Sequence, residues 1–146
     1  MSKGAATLDT IGMPTAPAAD APAATYNASC HCGAFAYSVT ISPPLDSPSS
    51  TVTECNCSIC TRNSYLLVYV PNERVVFSKG RIEQFCSYSF ATKKMDHYFC
   101  GACGSACMVR SRFEHFFPGM TAVNVRMLHH VDVKRLNTKA ADGKSL

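Results

Sequence analysis

Three cysteines within six residues, Cys55-Asn56-Cys57-Ser58-Ile59-Cys60, constrain this chain more than any other stretch. Two further clusters bracket it, Cys30-His31-Cys32-Gly33 upstream and Cys100-Gly101-Ala102-Cys103-Gly104 downstream. Seven of the nine cysteines therefore fall in short chelating groups, which isolated structural thiols do not do. The N-terminus has a single lysine and no hydrophobic stretch of the kind a secretory leader needs. With no leader, clustered thiols predict metal ligands in a reducing, cytoplasmic setting rather than disulfides, and an odd count cannot pair fully within one chain.

The spacing predicts two zinc ions per chain. Cys100 and Cys103, three apart and each followed by glycine, place two sulfurs on one ion while the glycines let backbone amides approach them. Cys30 and Cys32 supply a second two-sulfur arm, and two such arms complete the tetrahedral coordination of a structural zinc. Metal-free redox chemistry at Cys-x-x-Cys is the alternative, but it belongs to a helix N-terminus in a βαβ setting that this sequence lacks. Cys55, Cys57 and Cys60 offer three thiolates from one loop and no evident fourth arm, the arrangement of a catalytic zinc with an exchangeable position. Zinc with three thiolates carries a formal negative charge and polarises water weakly, so thiol chemistry at carbon is expected ahead of hydrolysis. A closed second site, with Cys107, Cys86 or His97 as fourth ligand, is the competing reading. As free thiols, Cys86 and Cys107 are expected to be buried apolar fillers.

The remaining texture is that of a mainly β protein. Phe35, Tyr37, Val39 and Ile41 alternate with Ala36, Ser38 and Thr40, the period of a half-buried strand. Short strands are expected at Val52–Glu54, Tyr65–Val70, Asp96–Cys100, Ala106–Arg110 and Met120–Leu128. Val75–Phe77 and Ile82–Tyr88 flank Ser78-Lys79-Gly80 and read as a hairpin. Helical turns are expected only at Ser58–Asn63 and near Val131–Leu136. The Ala/Pro-rich stretch 1–25 reads as a flexible extension, 26–137 as one two-zinc domain and 138–146 as a C-terminal tail.

The formal charge of +4 invites nucleic acid as a partner. Seven zinc-bound thiolates and two dications together remove three of those charges, leaving the loaded protein near +1. The basic residues are scattered rather than striped, which argues against nucleic acid, and no apolar run is long enough to cross a membrane.

Taken in order, Cys30-His31-Cys32-Gly33-Ala34, Cys55 through Cys60, His97-Tyr98-Phe99-Cys100-Gly101-Ala102-Cys103-Gly104 and Val123-Asn124-Val125-Arg126 resemble the glutathione-dependent formaldehyde-activating enzyme family, which includes centromere protein V. The resemblance spans roughly Ser29 to Val133. It implies a β-tent fold with a structural zinc on Cys30, Cys32, Cys100 and Cys103 and a catalytic zinc on Cys55, Cys57 and Cys60. It implies a carbon–sulfur lyase-type enzyme that combines glutathione with formaldehyde, or one that cleaves a related thiol conjugate in secondary metabolism. The partners so implied are a small thiol such as glutathione and an aldehyde or conjugate, and a homo-oligomer is compatible with them. A non-catalytic zinc module that binds a partner protein is the alternative.

Outside the thiols, His97 is the expected general acid or base, because its ordinary pKa lies near neutrality. Arg62 and Tyr65 follow the central loop and could touch substrate, though packing and solvent exposure account for them equally. Asn124 and Arg126 alternate along the last expected strand, which would turn both to one side. Arg126 could pair with a substrate carboxylate or with a structural acid. His115, His129 and His130 have no distinguishing context.

Overall fold

The computed structural model describes residues 14–90, 95–112, 114 and 117–145. Most of the N-terminal extension and His115 lie outside the described residues. Ten strands are described: β1 (Ala24–Ser29), β2 (Ala36–Ile41), β3 (Val52–Cys55), β4 (Leu67–Pro71), β5 (Val75–Lys79), β6 (Cys86–Tyr88), β7 (Met95–Phe99), β8 (Ala106–Ser111), β9 (Met120–Asn124) and β10 (Thr138–Ala141). Among the described residues the one α-helix, α1 (Ser58–Asn63), lies within the central cysteine loop, where a helical turn is expected.

The strands form two sheets. One has the order β1-β2-β5, the other β10-β3-β4-β9-β8-β7-β6. In β2 the alternation works as read: Tyr37, Val39 and Ile41 are buried while the residues between them are half-exposed. Those side chains meet one face of the larger sheet, where Val68, Val123, Met108 and Tyr98 stand in register across β4, β9, β8 and β7. Burying side chains of this size contributes roughly 1.5–3 kcal/mol each, so this face is the main core.

Residues one step along each strand point the other way. Tyr69, Ala122, Val109 and His97 form the matching row on the opposite face. That face is covered by a second apolar cluster containing Cys60, Tyr65, Phe117 and Met120. The central cysteine loop therefore sits over one face of the large sheet, with His97 in that sheet's row.

Four expectations are corrected here. Val75–Phe77 and Ile82–Tyr88 do not form a hairpin: β5 pairs with β2 and β6 with β7, in different sheets. Residues 82–84 are a 3-10 turn, which breaks the run between them. The last long strand stops at Asn124, because a 3-10 turn over Val125–Met127 follows it. Thr138–Ala141 is not a tail but strand β10, parallel to β3 with Ala141 opposite Cys55. Cys86 is exposed rather than a buried filler, since β6 is the outer strand of its sheet, whereas Cys107 is fully buried.

Candidate metal centres and the cleft beside them

Two cysteine groups converge, and they are the two read from spacing. Cys30, Cys32, Cys100 and Cys103 bring their sulfurs within 4.8 Å of one another, and so do Cys55, Cys57 and Cys60. In the first group the measured edges are 3.7 Å between Cys30 and Cys32 and 3.7 Å between Cys32 and Cys100. Tetrahedral zinc–thiolate bonds of about 2.3 Å place sulfurs about 3.8 Å apart, close to these two edges, so the group suits a zinc ion.

The two arms of the first group are built as similar turns. Gly33 and Gly104 both take left-handed φ angles, +80° and +79°, that a side chain resists. In the first turn the Gly33 amide donates to the Cys30 carbonyl at 3.2 Å and the Phe35 amide to the Cys30 sulfur at 3.4 Å. In the second the Gly104 amide donates to the Cys100 carbonyl at 2.8 Å. Hydrogen bonds from the Ser105 hydroxyl and amide draw the Cys103 thiol down to about 5, so a thiolate ligand stands ready at neutral pH. Cys32 rises to about 11: the Ala34 amide favours its thiolate, but Cys100 and Cys30 outweigh it. His31 is not among the converging ligands, and its backbone amide donates to Ser105 Oγ at 3.0 Å.

The second group uses the helix. Cys57 caps α1 and Cys60 lies one turn on, which puts both on one side of the loop. Ser64 ends the helix in the left-handed conformation and directs Tyr65 back under it. The thiols share protons unequally. Hydrogen bonds from Cys57 and Cys60 drive Cys55 far below the ordinary thiol range against the effect of burial. Cys60 is pushed far above that range by Cys55 and Cys57, with burial adding to the effect. Three converging thiols of which one is readily ionised suit a soft divalent cation.

None of the three alternative fourth ligands joins this group among the described residues. Cys107 belongs to the main core and its thiol is held up at about 12, first by burial. Cys86 lies against the Gly101 backbone, at the first centre. His97 packs with Tyr65 instead, its Nδ1 3.2 Å from Tyr65 Oη.

Beside the three thiols opens a cleft of about 560 Å³, bordered by Cys55, Cys60, Glu54, Tyr65, Arg126 and Asp142. The structure sorts the other expected site residues around it. Tyr65 borders the cleft with its hydroxyl kept protonated, raised to about 12 chiefly by burial. His97 stands one ring behind it, 6% exposed and lowered in pKa because burial outweighs the nearby Asp96 carboxylate. Its sequence position beside the Cys100 turn therefore misleads, since its side chain packs against Tyr65 on the side of the second thiol group. Arg126 borders the cleft and anchors its Nε on the Ser64 carbonyl at 2.7 Å.

Neither Asn124 nor Arg62 lines this cleft. Asn124 does not share a side with Arg126: it is 1% exposed, and Oδ1 accepts from the Leu66 and Arg126 amides while Nδ2 donates to the Ala106 carbonyl. Arg62 is exposed and folds back, donating from Nη1 to the Ser58 carbonyl of its own helix. Among the cleft residues that the sequence reading missed are Glu54 and the C-terminal Ala140, Ala141 and Asp142. No local signal marks the last three, because their place depends on β10 pairing with β3.

A family model described as glutathione-dependent formaldehyde-activating enzyme matches residues 25–141. A solved structure of a Rhodobacter sphaeroides protein superposes with a TM-score of 0.61 at 24% identity, covering 77% of this chain and 99% of that one. At that identity the likeness is one of fold. No helix among the described residues is long and apolar enough to cross a membrane.

Proposed function

Because the chain belongs to the glutathione-dependent formaldehyde-activating enzyme family, we propose that it is a zinc-dependent enzyme that makes or breaks the carbon–sulfur bond of a thiol adduct. The reference reaction is the combination of glutathione with formaldehyde to S-(hydroxymethyl)glutathione; cleavage of a related conjugate is the same chemistry reversed. The observation that carries this reading is the trio Cys55, Cys57 and Cys60, which has no fourth protein ligand among the described residues and meets a cleft through Cys55 and Cys60.

In this reading Cys30, Cys32, Cys100 and Cys103 hold a structural zinc, and Cys55, Cys57 and Cys60 hold the second. When bound, the second zinc supplies a position that keeps a substrate thiol ionised at neutral pH. The chain's own residues manage the oxygen. As the substrate sulfur bonds to the aldehyde carbon, the C=O π pair moves onto oxygen, and Tyr65 donates its hydroxyl proton there. His97, neutral because burial disfavours its charged form, passes its Nδ1 proton to the tyrosine oxygen as Nε2 takes one from water, so the imidazole stays neutral throughout. In the cleaving direction the same protons run backwards. Arg126, fixed by Ser64, offers its guanidinium to a substrate carboxylate. His97 thus acts through Tyr65.

The test is zinc stoichiometry by elemental analysis, with and without excess glutathione, together with product formation followed by NMR. Two zincs, one of which gains a sulfur ligand on thiol addition, support the reading. Two zincs indifferent to any thiol would sink it in favour of a closed, partner-binding module. Cys57→Ser is expected to lose about one zinc and the activity while the fold survives.

A further inference from the structure

The C-terminal segment is built into the loop that carries the three thiols. Asn56, between two of them, is held at three atoms. Its amide donates to the Ala141 carbonyl at 3.0 Å, its Nδ2 donates to Asp142 Oδ1 at 2.8 Å, and its Oδ1 accepts from the Lys144 amide at 2.9 Å. Ser145 Oγ in turn donates to Asp142 Oδ2 at 2.8 Å, closing the turn on itself. At the centre of this clamp lies Gly143. A Cβ built on it would stand 2.5 Å from Cys55 Sγ and 3.3 Å from Cys57 Cβ, a contact that no side chain could occupy. The Gly143 backbone thus lies directly against the Cys55 sulfur, and the Cys57 amide approaches the same sulfur at 3.5 Å.

We propose that the Gly143 turn is a positioning element of the three-thiolate centre: its backbone N–H holds the Cys55 sulfur in place and withdraws electron density from it. The inference rests on the reading of Cys55, Cys57 and Cys60 as zinc ligands and adds a group outside that set. The physical reason is charge. Three thiolates converging on one cation repel one another, and an N–H donor on one sulfur lowers that repulsion and leaves the cation more electrophilic. Glycine is required because the donor must come closer than any Cβ permits. A segment without a cysteine thereby controls how tightly the second metal is held.

The experiment uses the full-length protein, a chain ended at Asp142, and Gly143→Ala, each loaded with zinc or cobalt(II). The first centre serves as internal control in a chelator competition. The chain ended at Asp142 keeps β10 and the Asn56–Asp142 contact but lacks the Gly143 amide, along with the Lys144 and Ser145 bonds to Asn56 and Asp142. It is expected to bind the second metal 10–100-fold more weakly, the usual effect of removing an outer hydrogen bond to a metal ligand. Its sulfur-to-cobalt charge-transfer band should also move to lower energy, which a merely structural prop would not cause. Gly143→Ala is expected to weaken the second site by steric displacement of Cys55, and Lys144→Ala, which keeps the backbone N–H, should match the full-length protein. Second-site affinity within twofold of the full-length protein in both altered chains, with an unshifted band, overturns the proposal. So does joint loss of both metals in both altered chains, which would make the segment a general support of the fold. A full-length protein that never takes a second metal would instead overturn the zinc reading itself.

Discussion

Asn124 joins three segments by hydrogen bonds to the Leu66 and Arg126 amides and the Ala106 carbonyl, with almost no exposure of its own. Asn124→Leu leaves those buried groups without partners, each at about 1–3 kcal/mol, and is expected to lower stability in urea unfolding by at least about 2 kcal/mol. The Tyr65–His97 pair makes a different prediction. Tyr65→Phe removes the proton donor and should lower kcat by roughly 10²-fold or more with metal content unchanged. His97→Gln should lower it less, because water can serve Tyr65. Unchanged turnover in Tyr65→Phe would remove the pair from the mechanism. Burial also gives His97 a pH signature. Its folded pKa lies below the unfolded value, so the unfolded chain binds more protons as pH falls. Its stabilising contribution is complete above the unfolded value of about 6.5 and is lost as pH falls through the folded pKa. The stability difference between the native protein and His97→Gln should therefore shrink as pH falls from about 7 to about 5.

Strand β3 is short and meets β4 at a single pair, Thr53 with Leu67, whereas β10 pairs with all four of its residues. The chain's C-terminus, rather than the interior of the sheet, thus steadies the loop that begins at Cys55. Ending the chain at Asn137 should speed hydrogen exchange across 52–56 while leaving β1 and β2 unchanged; uniform exchange would show that β10 merely decorates the edge. At the opposite edge, β6 leaves Cys86 exposed. In the zinc-loaded protein, brief treatment with iodoacetamide should label Cys86 and spare Cys107, which peptide mass spectrometry would read directly.

The first metal centre joins the turn after β1 to the turn after β7, so it links the small sheet to the large one. Structural zinc in small domains contributes about 10–16 kcal/mol in peptide measurements, comparable to a domain's total stability. Cys103→Ser is expected to abolish cooperative thermal unfolding, whereas Cys57→Ser should leave it in place. If the two variants melt alike, the division into a structural and a reactive centre is wrong. Apolar packing supplies the rest: the sheets meet across Tyr37, Val39, Met108 and Val123, all at or near zero exposure.

Ligand chemistry was legible in the linear chain because chelation acts over two to three residues, and Cys30, Cys32, Cys55, Cys57, Cys60, Cys100 and Cys103 carry their spacing with them. The mainly β class was legible for a similar reason, since alternation such as Phe35–Ile41 is a local property. Partnership between distant segments was not. Nothing in Val75–Tyr88 says that its two strands part into separate sheets, and nothing in Thr138–Ala141, with no apolar alternation, says that it pairs with β3. Nor does proximity to Cys100 reveal that His97 packs against Tyr65 on the side of the second thiol group: strand β7 turns successive side chains to opposite faces, and only the packed sheet decides what each face meets. Backbone pairing is indifferent to side-chain identity, so the cleft wall and the Gly143 contact with Cys55 exist only once the tertiary fold has brought the chain's end back to its central loop.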